Sequence, residues 1–371
     1  MNVIIIGAGA SGITAAINYK RNHQQDDVLV IEHLDKPLKK ILVTGNGKCN
    51  LGNSNINYEL YKNSTFAKKV IDGYDYKQFF ESISIKTKLV DSLAYPVSES
   101  AVSVREAMLK EASKLKIEIK LSENLVDYSV DKIIKVKTDK STYECDKLFI
   151  AGGLKSSPKQ GSDGSAFEIL VKHGYKFNIP NPGLTPIFTK EKTRLLDGVR
   201  VKANVTLLKN NKVIHEEKGE VLFKEHGLSG IVIFNTASII ARDQNAKYKI
   251  SLDILPDYDE KNLKEYLSNH NVDEFLLAYV NPKIASFLRE EIKAKDIVKI
   301  TKNLEFTYGS SYGFDFSQVS VGGILETEVD EKLMSKREKN VFIIGELLDN
   351  DGPCGGYNLT WAFATAFKST K

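Results

Sequence analysis

Five residues near the start of the chain have the types and spacing to hold a diphosphate. Gly7, Gly9 and Gly12 form a G-x-G-x-x-G run directly after the apolar stretch Val3-Ile4-Ile5-Ile6, and Ala10 and Ser11 lie between them. Gly7 permits a tight turn, Gly9 a close approach of backbone to phosphate, and Gly12 the packing of a helix, predicted from Ala10 to Lys20, against the strand. The free amides and the dipole at the start of that helix face the anion. A second apolar run, Val28-Leu29-Val30-Ile31, ends in Glu32, twenty residues beyond Gly12. A carboxylate there accepts hydrogen bonds from both hydroxyls of an adenosine ribose.

Other chemistry-bearing residues recur at the ends of predicted strands. Lys40 and Lys48 flank Thr44-Gly45-Asn46-Gly47, a polar, backbone-rich loop suited to a diphosphate or to the polar edge of a flavin, or else a hairpin turn. The strand Leu148-Phe149-Ile150 runs into Ala151-Gly152-Gly153, where backbone must approach something closely. Gly161-Ser162-Asp163-Gly164-Ser165 opens a helix from Ala166 to His173, with Asp163 or Ser162 as a cap or Asp163 as a ligand. Near the C-terminus, the strand from Val341 to Ile344 ends in Gly345-Glu346. Asp349 to Asn358 then forms a glycine-rich loop before the final helix, Leu359 to Phe367, which is again an anion site at a helix N-terminus. His226 lies in a glycine turn and is the candidate proton donor, or else a solvated loop histidine. Cys49 and Cys354 sit in the candidate cofactor loops as small space-fillers or as a redox relay. Tyr95 and Tyr357 stack on or border a flavin ring, or else are ordinary half-buried tyrosines.

The elements that position these residues read as an α/β protein. Helix from Val104 to Lys114, led by a serine-rich loop from Ser92 to Ser103, and short strands at 117–120, 132–138 and 142–145 precede the strand at Leu148. From about Pro180 the pattern changes to alternating apolar and polar residues at 199–209, 213–217 and 219–223, which predicts antiparallel strands, followed by a helix from Ile231 to Ala241. Residues 258–302 are rich in helix formers. The net charge of +4 is spread along 371 residues, so no basic stripe argues for nucleic acid. Three cysteines without a C-x-x-C pair argue against a disulfide framework or structural zinc and fit a reducing cytoplasm. No apolar run reaches a membrane-spanning length, and the first strand leaves no room for a signal peptide.

Several of these blocks together resemble the HI0933-like flavoproteins, FAD-dependent, NAD(P)-linked oxidoreductases whose members include relatives of bile-acid dehydro-steroid reductases. The likeness rests on 7–12, KILVTGNGKCN at 40–50, AGGLKSSPKQGSDG at 151–164, GEVLFKEHGLSG at 219–230, 321–323, and GELLDNDGPCGGYNLTW at 345–361. Ile231 departs from the proline expected after Leu228-Ser229-Gly230. The resemblance implies a discontinuous Rossmann-like FAD-binding domain at 1–185 and 320–371. A β-rich module is inserted at 186–255 and 303–319, with a small helical subdomain at 256–302. It places Gly7, Gly9, Ala10, Ser11 and Gly12 on the pyrophosphate and Glu32 on the ribose. Lys40, Thr44, Gly45, Asn46, Gly47, Asn50, Val126, Ala151, Gly152 and Gly153 line the cofactor. Gly345, Glu346 and Asp349 take the ribityl side, and Gly355, Gly356, Tyr357, Asn358 and Leu359 the pyrimidine edge. The implied activity is reduction of an activated C=C bond in a small organic substrate at the expense of NAD(P)H. An amine oxidase-type dehydrogenation using oxygen and a non-catalytic regulatory or RNA-associated role are the alternatives. No second G-x-G-x-x-G marks a dedicated nicotinamide domain, so NAD(P)H would visit the flavin transiently. Oligomeric state is not legible.

Overall fold

The computed structural model describes residues 1–291 and 296–371. They divide into two compact units, Met1–Asn181 with Val319–Lys371, and Pro182–Gln318.

The first unit is built on a five-stranded parallel sheet in the order Val341–Ile343, Lys147–Ile150, Asn2–Ile6, Asp27–Ile31, Glu118–Lys120. The strand Asn2–Ile6 pairs on both sides, so Val3, Ile4, Ile5 and Ile6 are all buried, which accounts for an unbroken apolar run without alternation. Register places Phe149 opposite Phe342, and their rings stack 4.5 Å apart. The opening helix, Ala10–Asn22, packs against the closing helix, Tyr357–Ser369, so the two ends of the chain share one core. The strands Phe177–Gly183 and Val319–Ile324 pair as a two-stranded sheet, and two small antiparallel sheets accompany them. One pairs Gly52–Asn53, Leu93–Pro96 and Thr87–Val90; the other is a meander of Leu125–Val130, Ile134–Thr138 and Thr142–Cys145.

Local expectations fail where side chains from distant segments decide the backbone. The serine-rich stretch expected as a loop contains the strand Leu93–Pro96, because Thr87–Val90 supplies a partner; Ser100 then caps a helix that begins at Ala101. The helix expected to open at Ala166 opens at Ser165, and its cap is Gly164 at φ +88°, not Ser162 or Asp163. A Cβ at Gly164 would lie 2.5 Å from Lys155 Cε, and Asp163 instead accepts hydrogen bonds from the backbone and hydroxyl of Ser165.

The second unit is a closed antiparallel barrel in the order Ile187–Thr189, Gly227–Ser229, Lys212–Lys224, Arg200–Lys209, Tyr248–Asp253, Leu304–Ser311. Its alternating pattern turns Val205, Leu207, Val221, Phe223, Ile250, Leu252 and Phe306 inward, each fully buried. The two strands expected at 213–217 and 219–223 are one continuous strand. Gly219 does not break it: a Cβ there would lie 2.3 Å from Val232 Cγ1, so this glycine makes room for the helix Ile231–Ala241. Helices Glu260–Asn269, Val272–Tyr279, Pro282–Glu291 and Ile297–Lys302 lie between the last two barrel strands.

Candidate functional site

The three opening glycines serve three separate needs. Gly7 adopts φ +97°, and a Cβ on it would meet Ala151 O at 2.7 Å; one on Gly12 would meet Gly7 O at 1.9 Å. Gly9 faces open space, with nothing within 4 Å of its missing Cβ. Gly7 and Gly12 are therefore required by the fold, whereas Gly9 keeps a space clear for something else. The opening helix has Gly9 as its N-cap with no side-chain cap and no acidic residue in its first turn, and the closing helix likewise starts after Gly356 without a side-chain cap. Elsewhere Asn63, Asp75, Ser100, Asp259, Asn271 and Asp296 cap helices with their side chains. Leaving helix amides at Ala10-Ser11-Gly12 and Tyr357-Asn358-Leu359 to an external acceptor is the arrangement of an anion or carbonyl site.

Glu32 is 8 % exposed at the end of its strand. Its carboxylate accepts from Ala8 N–H at 2.7 Å and Leu34 N–H at 2.9 Å, which fixes the group rigidly and leaves further lone pairs for a diol. Beside it, His33 contacts Glu32 Oε1 at 3.5 Å, Asp163 at 3.3 Å and Gly161 O at 3.1 Å. The hydrogen bond to Asp163 raises the His33 pKa and lowers that of Asp163. The segment after Glu118–Lys120 stays alongside, since Ser122 and Glu123 donate backbone hydrogen bonds to Leu34 O and Glu32 O. It leads to Val126, where the meander ladder slips: Leu125 pairs with Thr138 and Asp127 with Lys137, so Val126 bulges out without a strand partner.

Lys40 and Glu346 form a second cluster. Lys40 Nζ bonds Ser156 Oγ, Glu346 Oε2 at 3.1 Å and Ser162 Oγ at 3.3 Å. Glu346 Oε1 accepts from Ser156 Oγ at 2.6 Å and Ser320 N at 2.8 Å. Ala151-Gly152-Gly153 runs beside this cluster, since Cβ atoms on Gly152 and Gly153 would meet Ala166 Cβ at 2.6 Å and Ser162 Oγ at 3.0 Å. The loop between Lys40 and Asn50 is a pair of 3-10 turns broken at Thr44, with Gly45 and Asn46 left-handed, and not a hairpin. Gly345 packs over Ser11, which a Cβ would strike at 2.5 Å, and its carbonyl accepts from Trp361 Nε1.

The third cluster contains residues that sequence reasoning missed. A strap at 53–63 holds the glycine-rich loop at 349–358: Asn53 Nδ2 bonds Gly355 O, Tyr61 Oη bonds Tyr357 O, Lys62 N bonds Asp351 O, and Asn63 N bonds Asn350 Oδ1. Asp349 is 1 % exposed, with Oδ2 held by Lys62 Nζ and Asn178 Nδ2. Its Oδ1, together with Asn350 Nδ2 and Thr360 Oγ1, is buried without a partner. Unpartnered buried polar atoms cost about 1–3 kcal/mol each, so two in this loop and a third in the first turn of the closing helix fit a place that a polar ligand completes. Nothing in sequence distinguishes Lys62 or Asn178 from surface residues of the same type.

Cys49 is fully buried, and burial pushes its thiol up to about 11; all three cysteines are unbridged. His226 stands at the barrel hairpin between Lys212–Lys224 and Gly227–Ser229, its side chain 66 % exposed and facing Glu225 at 3.8 Å. Tyr95 lies against the Gly45 turn. No metal-holding cluster occurs among the described residues, and no helix among them is long and apolar enough to cross a membrane.

A family model, the HI0933-like protein Rossmann domain, matches residues 1–371. The chain belongs to the HI0933-like family. It is 31 % identical to a 3-dehydro-bile acid delta(4,6)-reductase of Clostridium scindens, over 98 % of this chain and 96 % of that one. It is 26 % identical to a ribosomal RNA dihydrouridine synthase of Escherichia coli, over 99 % and 96 %. Among solved structures it shares its fold with a quinol-fumarate reductase (TM-score 0.52, 12 % identity, 100 % of this chain and 70 % of that one). It also shares it with a 3-ketosteroid delta1-dehydrogenase from Sterolibacterium denitrificans (TM-score 0.50, 11 % identity, 99 % and 98 %). This HI0933-like protein is an FAD-dependent oxidoreductase. The open space at Gly9, the rigid Glu32 carboxylate and the unpartnered atoms of the 349–360 segment fit that cofactor.

Proposed function

We propose that this protein reduces a C=C bond conjugated to a carbonyl in a small organic substrate, with NAD(P)H as electron donor. The two relatives are named for acting on a delta(4,6) dehydro bile acid and for making dihydrouridine, and both names describe saturation of a C=C bond next to a carbonyl. The observation that carries the cofactor half of the reading is Glu32, buried and pre-oriented by two backbone amides at the end of a Rossmann strand.

Bound FAD supplies the two-electron chemistry. The chain's part is to hold and tune it. Ala10, Ser11 and Gly12 give their amides to the diphosphate, with Gly7 and Gly9 making the approach possible, and Glu32 takes the ribose. Val126 offers its unpaired backbone to the adenine edge. Lys40, Thr44, Gly45, Asn46, Gly47 and Asn50, with Ala151, Gly152 and Gly153, line the middle of the cofactor. Gly345, Glu346 and Asp349 take ribityl hydroxyls. Gly355, Gly356, Tyr357, Asn358 and Leu359 present the start of the closing helix to the pyrimidine carbonyls, where its dipole favours negative charge. His226 is retained as the candidate proton donor to substrate.

A small conjugated carbonyl is preferred to uridine in RNA because acidic and basic residues are interspersed along both units. Anaerobic stopped-flow mixing of the FAD-loaded protein with NADH and then NADPH tests the reading. Rapid loss of flavin absorbance, recovered on adding a steroidal 4-en-3-one, is the expected result. Reduction by dithionite alone overturns the nicotinamide link, and reoxidation by uridine-containing RNA but by no enone moves the substrate to nucleic acid.

A further inference from the structure

A cluster outside the site joins three distant segments of the first unit around one imidazole. His173, which follows the helix Ser165–Lys172, places Nδ1 2.8 Å from Glu338 Oε1 and Nε2 2.9 Å from Asp127 Oδ1. Both acceptors are carboxylates, so both ring nitrogens must donate, and the ring in this arrangement is an imidazolium. It stacks on Tyr128 at 4.0 Å. Glu338 precedes the sheet strand Val341–Ile343 and has other support: Tyr128 Oη and Tyr175 Oη lie 2.5 Å and 2.7 Å from its Oε2, and its backbone N–H bonds Ser335 Oγ. Asp127 is the residue after the bulge. Its Oδ1 also accepts from Tyr128 N–H at 2.9 Å, so the carboxylate that meets the imidazole is anchored to the backbone directly after the bulge.

We propose that His173 is a positioning residue for the adenine end of the cofactor: as an imidazolium it ties Asp127 to Glu338 and so fixes the bulge that presents the Val126 backbone. This rests on the assignment of that backbone to adenine above. The argument for an effect confined to Asp127 comes from the asymmetry of the two carboxylates. Glu338 is 18 % exposed and keeps two tyrosine hydroxyls when the imidazole is neutral; Asp127 is 58 % exposed and keeps only its own neighbour's amide. A single remaining ring proton therefore stays on the Glu338 side, and Asp127 turns to water.

The imidazole is faced by the carboxylates of Asp127 and Glu338 and by the Tyr128 ring. Burial opposes its charge but is outweighed by the hydrogen bonds and charges of Asp127 and Glu338, so its pKa is raised. Burial and the neighbouring carboxylate push Tyr128 and Tyr175 far upward, and His173 helps hold Asp127 below the carboxylate range. Lys172 acts on Asp127 by charge, and Arg337 lies 5.8 Å over the Tyr175 ring and 3.7 Å from Glu328. With a raised folded-state pKa, the clasp is complete below the ordinary histidine value and is lost as pH rises through the raised one.

FMN lacks the adenosine half and provides the control. The full chain, stripped of flavin, is titrated with FAD and with FMN by fluorescence from pH 6 to 9. The wild type is expected to bind FAD about tenfold more weakly at the top of this range, with FMN affinity unchanged. His173→Gln is expected to show the weaker FAD affinity at every pH, again with FMN unchanged. Asp127→Asn, at an exposed position, makes the same test without disturbing the buried side of the cluster. Wild-type FAD affinity and pH profile in both variants overturn the proposal, as does an equal loss of FAD and FMN, which is the mark of a general structural role. Wild-type protein that binds FMN as tightly as FAD overturns instead the adenosine assignment on which the proposal stands.

Discussion

The two units bury polar groups of different kinds. Among the described residues, the polar side chains buried in the barrel unit are all hydroxyls: Thr185, Thr193, Ser229, Thr236, Ser238, Ser251, Thr301 and Ser317. The dinucleotide unit buries Glu32, Glu123, Glu328, Asp349 and Asp351. A hydroxyl can satisfy itself on a nearby carbonyl, as Thr236 does on Val232 O and Thr301 on Ile297 O, although Thr185 Oγ1 has no such partner among the described residues. A buried carboxylate needs several donors and costs several kcal/mol without them, so a fold keeps one only where something uses it. Glu32 and Asp349 lie in the predicted cofactor loops. The barrel is a scaffold held by apolar alternation; the other unit is held partly by what it binds.

Glycine substitutions make the largest break in that comparison. Gly12→Ala and Gly227→Ala each place a Cβ 1.9 Å from a backbone oxygen, of Gly7 and of Ile187 respectively. Each is expected to cost about 3 kcal/mol or more, read as loss of soluble protein or a large fall in melting temperature. Gly9→Ala meets no atom, so it should leave the melting temperature of the flavin-free protein unchanged while weakening FAD binding at least about tenfold. An equal effect of Gly9→Ala and Gly12→Ala on the flavin-free fold would remove the distinction.

Next in size is Glu32→Gln. Loss of a charged, doubly oriented acceptor should weaken FAD by about 2 kcal/mol, roughly thirtyfold, with little change for FMN. Lys40→Met then leaves Glu346 with only Ser156 and the Ser320 amide, and about 1–2 kcal/mol of FAD affinity should go with it. Isothermal titration separates the two, since the Lys40 variant should lose FAD and FMN alike. A smaller effect is chemical: with its thiol at about 11 and no exposure, Cys49 should resist a thiol reagent at pH 8 in the native protein and react only on unfolding.

How much of this was legible in sequence depends on how far apart the partners lie. The opening glycines, Glu32 and the loops after Ile150 and Ile344 were readable because strand, turn and helix follow one another within a few residues. Lys62 and Asn178 meet Asp349 across 287 and 171 residues, and His173 meets Glu338 across 165, so no local spacing announces them. The closed barrel was likewise invisible: alternation predicts antiparallel strands, but only the pairing of Ile187–Thr189 with Leu304–Ser311 closes them. The candidate cap at Ser162 or Asp163 gives way to Gly164, with Lys155 packed against that glycine and His33, far away in the sequence, meeting Asp163.

His226 is the residue on which the comparison is most exposed, because a scaffold barrel would supply no reacting group. Its ring is two-thirds solvent-exposed and, among the described residues, faces Glu225 at 3.8 Å, whereas a proton donor is normally oriented by a second hydrogen bond. His226→Ala is therefore expected to shift stability by no more than about 0.5 kcal/mol and to leave FAD affinity and flavin reduction by NAD(P)H unchanged. The discriminating step is reoxidation by an enone. If His226 donates the substrate proton, that step alone should slow by about a hundredfold, and the loss should follow the titration of one group in the wild-type pH profile. If reoxidation is unchanged, His226 is not the donor, and the proton comes from solvent or from the cofactor-bearing unit.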